Sequence, residues 1–322
     1  MKDKVSIIMP AYNAAGRIEK SIRKIEQQSY TNFELIIVND GSKDTTEEVC
    51  RLLAEEYSNI KLISQENAGP GKAREKGVQF ATGDIIAFVD SDDYLAEGAL
   101  QVLVSKMEET NADILQFGYK MVNNNGDIIS DHLMSECTFE SRRDAYQYFI
   151  TQKNSTNFLW NKVYKYTLFH SIEWPGIYYS EDYAVLAQLY GKTEKAVTIK
   201  DKLYYYVQHP ESAVNRPFSR RKLDQITAAK YVIKYTRRNF AKYLPEALYY
   251  LATRAARLAD EVMYSDLAEK KQIYNDLIRV FNMSYSEMRL LLKKQRRKID
   301  IDKTTKAFAI SPRISRLLKR LC

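Results

Sequence analysis

Short apolar runs alternate with helical patterns along the N-terminal part of the chain. Four runs are each short enough for one buried strand, at residues 5–9, 33–38, 60–63 and 84–89. Helices are predicted between them, at residues 18–28, 45–57 and 72–80. This alternation predicts an α/β fold with a mostly parallel central sheet and helices on both faces.

A polar cluster follows each of the four runs. The clusters are Pro10-Ala11-Tyr12-Asn13, Asn39-Asp40-Gly41-Ser42, Asn67 with the glycine-rich loop 69–71, and Asp90-Ser91-Asp92-Asp93. Because the carboxyl ends of parallel strands meet at one edge of a sheet, we expect these clusters to converge on one ligand-binding crevice.

The pattern changes after Asp93. A helix at residues 97–109, strands at 114–118 and 202–206 and a polar turn at 123–127 are predicted, and from about residue 219 the sequence is helical and polar. We therefore predict a first domain at residues 1–218 and a helical C-terminal region at residues 219–322.

Composition and cysteine usage are those of an ordinary globular protein. Hydrophobic residues make up 45% of the chain and charged residues 28%. Cys50, Cys137 and Cys322 lie far apart without metal-ligand spacing, which argues against a disulfide framework or a zinc site and fits a reducing cytoplasm. The sequence starts without a signal-peptide pattern and contains no stretch of about 18 apolar residues, so a cytoplasmic location is expected.

Positive charge is concentrated in the C-terminal tail. The net charge is +8, but residues 289–322 carry 12 Lys and Arg against 2 Asp and Glu, which leaves −2 for residues 1–288. Because the basic residues do not surround the expected crevice, no nucleic-acid partner is expected. In the tail Ile314, Leu317, Leu318 and Leu321 fall on one helical face, as in a basic helix lying on an anionic membrane; a packing or oligomerisation helix is the alternative.

Asp90 and Asp92 flank one residue directly after a buried strand. If the chain turns there, both carboxylates face one ligand, and with Asp93 beside them they would repel each other without a cation. Carboxylate oxygens suit Mg²⁺ or Mn²⁺ ions that bridge phosphates. A turn that caps the following helix is the other interpretation of this triplet.

Asp40 and Arg74 extend the candidate site. A carboxylate at a strand end can accept a hydrogen bond from a base or a ribose, and it can equally form an Asx-turn. Arg74 is predicted in the first turn of the helix after the glycine-rich loop, where a cation and free N–H groups favour phosphate; a surface arginine is the alternative.

Four segments in this order and spacing resemble glycosyltransferase family 2, an inverting family with the A-type nucleotide-diphospho-sugar transferase fold. They are residues 5–13, 34–44, 67–74 and 83–93, and the resemblance covers about residues 4–215. It implies a nucleotide-sugar donor, usually linked to UDP, and a divalent metal ligated by Asp92. It assigns donor binding to Pro10, Ala11, Tyr12, Asp40, Asn67, Arg74, Asp90, Ser91 and Asp92.

Three later segments also resemble the family. Trp160-Asn161-Lys162 and Glu181 are similar to residues on its acceptor side, and Asp182 matches the usual catalytic base of a Glu-Asp motif. Residues 204–212 are similar to a loop that closes over the diphosphate, but Val207 stands where the family often has an arginine. His209 is therefore the better candidate for metal or phosphate. Without the resemblance, Glu181 and Asp182 read as favourable acids at a helix N-terminus.

Together these features predict an inverting glycosyltransferase in the cytoplasm or on the inner face of the cell membrane. It would use Mn²⁺ or Mg²⁺ to move a sugar from a UDP-linked donor to a hydroxyl of a surface-glycan or lipid-linked acceptor. A sugar nucleotidyltransferase is one rival, but such enzymes usually carry a glycine-rich basic loop after the first strand. A catalytically degenerate assembly or membrane-binding subunit is another, although Asp90, Asp92 and Asp182 are all present.

Overall fold

A ten-stranded sheet is the central feature of the protein, which is described by a computed structural model over residues 3–151, 156–209 and 217–312. The strands, in chain order, are β1 Val5–Ala11, β2 Phe33–Asp40, β3 Ile60–Gln65, β4 Ile85–Phe88, β5 Tyr94–Leu95, β6 Ile114–Val122, β7 Ile128–His132, β8 Cys137–Phe139, β9 Lys162–Lys165 and β10 Ala196–Val207. Their order across the sheet is β3-β2-β1-β4-β9-β6-β10-β5, with β7 added to β6 and β8 to β10.

The first four strands form the parallel part of the sheet. Strand β1 lies between β2 and β4 and is parallel to both, and β2 is parallel to β3. Strand β9 then runs antiparallel between β4 and β6, and β6 pairs in parallel with β10. The apolar runs of β1 and β2 are buried on both faces, as expected for parallel strands covered by helices. The prediction of a mostly parallel α/β sheet is confirmed.

The described part of residues 18–190 contains six α-helices. They are α1 Ile18–Glu26, α2 Thr46–Glu56, α3 Pro70–Phe80, α4 Ala99–Thr110, α5 Arg142–Thr151 and α6 Glu181–Tyr190. In α1 the predicted face of Ile18, Ile22 and Ile25 is buried. Helix α3 starts earlier than predicted, because Pro70 at its first turn has the φ angle of a helix and Gly69 before it adopts φ 92°. Arg74 therefore lies in the second turn of α3, and its predicted place in the first turn is wrong.

Strand β10 is longer than the sequence pattern predicts. It starts at Ala196 instead of Lys202, and its pairing with β6 shifts register twice, between Thr198 and Lys202 and between Lys202 and Tyr204. The charged residues Lys200 and Asp201 lie in this irregular part, so they interrupt the apolar pattern without ending the strand.

Helix α3 packs closely on β1 at Gly77. A Cβ atom at this glycine would lie 2.4 Å from Cγ2 of the fully buried Ile8. We expect Gly77→Ala to lower the free energy of unfolding by about 1–3 kcal/mol, because the buried Ile8 has to move. Gly16→Ala is the matched control, since nothing lies within 4 Å of its Cβ position. Thermal unfolding of both variants checks this, and an equal Tm for the two would contradict the close packing.

Two compact units make up the chain, one of Met1–Gly176 with Gln188–Ser212 and one of Ile177–Ala187 with Ala213–Cys322. The second unit contains four further helices, α7 Asp224–Asn239, α8 Leu244–Met263, α9 Lys270–Gln295 and α10 Lys303–Ile310. The rings of Tyr183 and Tyr250 stack at 4.0 Å within it. The predicted helical C-terminal region is confirmed.

The first part of the basic tail packs into this helical unit. Arg297 donates hydrogen bonds to the buried Glu246 and to the carbonyl oxygen of Lys242. Phe308 of α10 lies edge-on to Phe281 of α9, with ring centroids 4.8 Å apart. The residues predicted to form a basic amphipathic face, Ile314, Leu317, Leu318 and Leu321, lie outside the described residues. Within the described ranges, no helix is long and apolar enough to cross a membrane.

Candidate active site

The register of the parallel strands brings the predicted polar clusters to one edge of the sheet. Ala11 at the end of β1 pairs with Asn39 at the end of β2, and Asp40 pairs with Gln65 at the end of β3. Beyond the end of β4, the amide of Val89 still donates to the carbonyl oxygen of Ile8, 3.1 Å away. The chain turns at Asp90 directly after this bond, beside the end of β1.

The loop after β1 is fastened to the loop after β2. Asn13 adopts φ 50°, its side-chain oxygen accepts a hydrogen bond from the amide of Lys43 at 2.8 Å, and its own amide donates to Oγ of Ser42 at 3.1 Å. The neighbouring ring of Tyr12 is 50% exposed. Tyr12 thus offers an accessible aromatic face at this edge of the sheet, as stacking on a nucleobase requires. Pro10 and Ala11 are the last residues of β1 beside it.

Asp40 organises the glycine-rich loop. Its Oδ1 accepts hydrogen bonds from the amide of Ala68 at 2.9 Å and from Nε2 of Gln65 at 2.8 Å, and its Oδ2 accepts one from the amide of Gly69 at 2.8 Å. Asn67 closes the arrangement by donating to the backbone oxygen of Asp40 at 2.9 Å. The carboxylate of Asp40 is only 3% exposed, and its hydrogen bonds hold this loop in place. Its contact with a ligand stays a prediction.

In the turn where an Asx-turn was considered, the side-chain oxygen of Asn39 accepts from the amide of Ser42, three residues on, at 3.2 Å. Gly41 within this turn has φ 69°, and a Cβ atom there would lie 2.7 Å from the amide nitrogen of Asn67. Only glycine satisfies both conditions, so the turn and the glycine-rich loop approach each other closely.

Arg74 and Asp90 form an ion pair at this edge. Nη2 of the buried Arg74 lies 2.8 Å from Oδ1 of Asp90, whose side chain is partly exposed. Helix α3 thus places the guanidinium of Arg74 beside this carboxylate. The alternative of a surface arginine is wrong, because Arg74 is buried. The charge-assisted hydrogen bond to this buried guanidinium holds the Asp90 carboxylate in a defined orientation.

Asp92 lies next to His209. Oδ2 of Asp92 and Nε2 of the buried His209 are 3.7 Å apart. Burial raises the pKa of Asp92 and the charge of Asp90 raises it further, while His209 and Arg17 act in the opposite direction. Two carboxylates, one imidazole and one guanidinium therefore influence each other at the turn. Ser91, between the two aspartates, accepts a hydrogen bond at its backbone oxygen from Oγ of Ser21, at 3.1 Å.

Asp93 points away from this group into the interior. It is fully buried, and it accepts hydrogen bonds from the hydroxyl of Tyr204 at 2.8 Å and from the amide of Val207 at 2.7 Å. Burial raises its pKa well above the ordinary value, with Asp92 and Asp90 adding to the effect. The repulsion expected among the three carboxylates thus acts on Asp93, while its hydrogen-bond donors come from strand β10.

The side chains of Trp160, Asn161 and Lys162 are buried in the protein interior. Lys162 is 0% exposed, and its ammonium group donates to Phe158 O at 2.7 Å, to Oδ1 of Asn161 at 2.8 Å and to both oxygens of Thr156. Nδ2 of Asn161 donates to the carbonyl oxygen of Phe117. These side chains hold the segment before β9 in place, and their contact with an acceptor stays a prediction.

Glu181 and Asp182 form the first turn of α6 and belong to the second compact unit. Glu181 is buried and Asp182 is partly exposed, and Ser180 before them adopts φ 63°. Acidic side chains are favourable at this end of a helix. The catalytic role of Asp182 and the acceptor-side role of Glu181 stay predictions, since the helix position is compatible with either interpretation.

Two residues of this edge escaped the sequence reasoning. Arg17, just before α1, is close enough to Asp92 to lower its pKa, and Tyr204 holds the turn through its hydroxyl. A basic residue in the loop after the first strand could have drawn attention to Arg17. For Tyr204 the sequence shows three tyrosines in a row, and which of them faces the turn depends on the register of β10.

The donor set of this edge is small. Over the described ranges of the chain, no group of three or more His, Cys, Asp or Glu side chains is arranged to hold a metal ion. The Asp92–His209 pair therefore offers two ligand atoms. Such a pair suits an ion that takes its remaining ligands from phosphate oxygens and water, as Mg²⁺ commonly does.

Comparison with known proteins gives a coherent picture. The sequence model of the family described as "Glycosyl transferase family 2" matches residues 6–186. The chain is 28% identical over 293 residues to glycosyltransferase GlyA of Streptococcus pneumoniae, which covers 86% of this chain and 42% of GlyA. It is 39% identical over 122 residues to WfgD of Escherichia coli, "UDP-Glc:alpha-D-GlcNAc-diphosphoundecaprenol beta-1,3-glucosyltransferase", over 38% of this chain and 47% of WfgD. The chain thus spans less than half the length of each of these two relatives.

A solved structure shares the fold. The crystal structure of residues 1–349 of TarS from S. aureus superimposes with a TM-score of 0.70 over 97% of this chain and 87% of the TarS chain, at 18% sequence identity. The same TarS fragment has been solved in complex with UDP and with UDP-GlcNAc. The structural similarity extends through the helical C-terminal region, beyond the residues matched by the family model.

Proposed function

Because the chain belongs to glycosyl transferase family 2 and is a glycosyltransferase, we propose that it moves one sugar from a UDP-linked donor to a hydroxyl of a surface-glycan or lipid-linked acceptor, with inversion. We assign donor binding to the predicted first domain, residues 1–218. The observation that carries the proposal is the pairing of Asp92 with His209, 3.7 Å apart, beside the Arg74–Asp90 ion pair at the carboxyl end of the parallel strands. In open α/β sheets this edge is where ligands bind.

The donor fits the chemistry of this edge. The exposed ring of Tyr12 would stack on the base, and Asp40, with the loop at Asn67, would shape the pocket for the ribose. Asp90, oriented by Arg74, would face the ribose or the diphosphate. The complexes of TarS with UDP and UDP-GlcNAc and the name of WfgD, which specifies UDP-Glc, support uracil as the base.

A divalent metal, Mn²⁺ or Mg²⁺, fits between Asp92 and His209. Asp92 and His209 would hold such an ion, and the diphosphate of the donor and water would supply its remaining ligands. The pKa of Asp92 is raised, first by partial burial and then by the charge of Asp90, and a cation would offset that unfavourable charge. When bound, the metal neutralises the charge that develops on the leaving diphosphate.

Asp182 is proposed as the general base. The acceptor oxygen attacks the anomeric carbon, the bond between that carbon and the diphosphate oxygen breaks, and UDP leaves. The acceptor hydroxyl loses its proton in the same step, and a carboxylate in hydrogen-bond reach takes it. Trp160, Asn161, Lys162 and Glu181 keep their proposed place on the acceptor side, the first three by shaping the segment before β9 rather than through exposed atoms.

A donor screen tests the nucleotide class. UDP, GDP, TDP and ADP are added with Mn²⁺ to the full chain, and thermal unfolding is followed. We expect UDP to raise Tm more than the other three, because ligands that bind the folded state stabilise it by mass action. A larger rise in Tm with another nucleotide would replace UDP by that nucleotide in the proposal. No rise in Tm with any of the four would contradict nucleotide binding.

We also propose that the basic tail attracts the enzyme to anionic lipid. In the described part of the tail the side chains of Lys293, Lys294 and Lys298 are exposed, as is Leu290 at 54%. Truncation after Pro312 removes Arg313, Arg316, Lys319 and Arg320 while it leaves every described helix intact.

The truncated chain is expected to bind phosphatidylglycerol vesicles at least about tenfold more weakly than the full chain, since each basic residue contributes about 1 kcal/mol at an anionic surface. Co-sedimentation at low salt measures this, with phosphatidylcholine vesicles as the neutral control. Equal binding of both chains to the anionic vesicles would contradict the membrane role of the tail.

A further inference from the structure

A hydrogen-bonded link joins the turn after β4 to the end of β10. The hydroxyl of Tyr204 donates to Oδ2 of Asp93 at 2.8 Å and accepts from the amide of Asp90 at 3.1 Å. The amide of Val207 donates to Oδ1 of Asp93 at 2.7 Å. Both carboxylate oxygens of Asp93 therefore bind β10, and both ends of the Asp90–Asp93 turn bind the same strand.

The link connects the two chain segments that carry the proposed metal ligands. Asp92 directly precedes Asp93 in the turn, and His209 follows Val207 by two residues along the chain. Gln208 lies between Val207 and His209, and its amide donates to the carbonyl oxygen of Val122 at 2.7 Å. The backbone leading to His209 is therefore also bound to β6. A displacement of either end of the link would change the Asp92–His209 distance.

Trp160 fixes the ring that carries the hydroxyl. Its indole stacks on the ring of Tyr204 with centroids 4.5 Å apart and planes at 18°, and the ring of Phe158 also stacks on the indole, with centroids 4.8 Å apart. Lys162 in turn holds the carbonyl oxygen of Phe158 at 2.7 Å. The buried segment before β9 thus packs on the ring of Tyr204, whose hydroxyl makes the hydrogen bonds to the turn.

We propose that the Asp93–Tyr204 link, supported by the ring of Trp160, is a positioning element that sets the distance between Asp92 and His209. This inference rests on the proposed function, because it takes Asp92 and His209 as ligands of one metal ion. It gives Trp160 a function that does not need contact with the acceptor. It also explains why a third aspartate follows Asp90 and Asp92 and yet is completely buried.

Tyr204→Phe tests the link. The variant keeps the ring and its stacking on Trp160 and removes only the hydroxyl. We expect the affinity for Mn²⁺ in the presence of UDP to fall about 10- to 100-fold, because removing a group that orients a metal ligand typically has an effect of this size. Titration calorimetry or electron paramagnetic resonance measures this affinity. The affinity for UDP without metal should fall much less than the affinity for Mn²⁺, because the proposed base and ribose pocket at Tyr12, Asp40 and Asn67 does not include Tyr204.

Tyr164→Phe is the matched control. Tyr164 is also fully buried, and its hydroxyl donates to the carbonyl oxygen of Leu159 at 3.1 Å. Tyr204→Phe loses the two hydrogen bonds of its buried hydroxyl and Tyr164→Phe loses the one to Leu159, so both should lose stability, but only Tyr204→Phe should lose Mn²⁺ affinity. Asp93→Asn serves as a second variant of the link if Tyr204→Phe does not fold, and it should weaken Mn²⁺ binding in the same way.

The outcomes separate this inference from the proposed function. If the unmodified chain with UDP binds no Mn²⁺, the proposed metal site fails and the positioning role fails with it. If the unmodified chain binds Mn²⁺ and a folded Tyr204→Phe variant binds it equally well, only the positioning role is overturned. Equal losses of Mn²⁺ affinity in Tyr204→Phe and Tyr164→Phe would also overturn it, because the effect would then be one of general stability.

Discussion

Replacing Asp92 with asparagine is expected to lower the rate of UDP release from the donor by about 100- to 1,000-fold. The change keeps the size of the side chain and removes the negative charge that pairs with a metal. Losing one group that stabilises charge in the transition state typically has an effect of this size. Release of UDP at saturating donor, followed over a range of Mn²⁺ concentrations, measures the loss.

The Mn²⁺ dependence separates a metal ligand from a residue that only supports the fold. The half-saturating Mn²⁺ concentration should rise in Asp92→Asn, while Tm should change little because the side chain is partly exposed. Asp201→Asn is the matched control, an exposed aspartate on β10 of the same compact unit. If Asp92→Asn turns over at the rate of this control, Asp92 does not hold the metal.

Replacing Asp182 with asparagine is expected to lower transfer by about 100- to 10,000-fold and to leave UDP binding within about twofold of the unmodified chain. An amide cannot take the proton of the acceptor hydroxyl, whereas the donor is held by the residues at the strand ends. Titration calorimetry with UDP and Mn²⁺ gives the affinity, and release of UDP from the donor gives the rate.

Glu173→Gln is the matched control for Asp182→Asn, because Glu173 is an exposed carboxylate shortly before α6. It should keep both affinity and rate. A parallel loss of UDP affinity and rate in Asp182→Asn would assign the residue to donor binding, and an unchanged rate would leave its carboxylate only the favourable position at the N-terminus of α6.

The order of strands and helices followed from the sequence because burial on both faces leaves a simple pattern. Strands β1 and β2 are mostly apolar, with one polar residue, Ser6 or Glu34, near the start of each, and polar clusters lie where the strands end. The same reasoning placed the strand-end clusters at one edge of the sheet. It missed the true extent of β10, because charged residues at a register shift resemble the end of a strand.

The direction of individual side chains could not be predicted in this way. Asp92 and Asp93 are adjacent in the sequence, yet one faces His209 and the other binds Tyr204 and Val207 in the interior. The difference depends on strand β10, which pairs with this region from more than a hundred residues away in the chain. For the same reason the sequence could suggest a cation at Arg74 but could not show that it pairs with Asp90.

The structure shows that the three aspartates of the motif have different partners. A cluster of three carboxylates would be unfavourable without a cation. With Asp93 bound by two donors on β10, two carboxylates remain at the turn, and one of these is held by Arg74. Asp92, beside His209, is left as the carboxylate best placed for a metal ion.

The central claim, a metal-assisted transfer from a nucleotide sugar, is tested most directly by nucleoside diphosphate release from a panel of UDP-sugars. The full chain is incubated with each donor in Mn²⁺, in EDTA, and in EDTA followed by excess Mn²⁺. We expect UDP release from at least one donor, its loss in EDTA, and its recovery when Mn²⁺ is restored. Release that is equal in EDTA would contradict the metal at Asp92 and His209, and absence of release from every UDP-, GDP- and TDP-sugar tested would contradict the transfer itself.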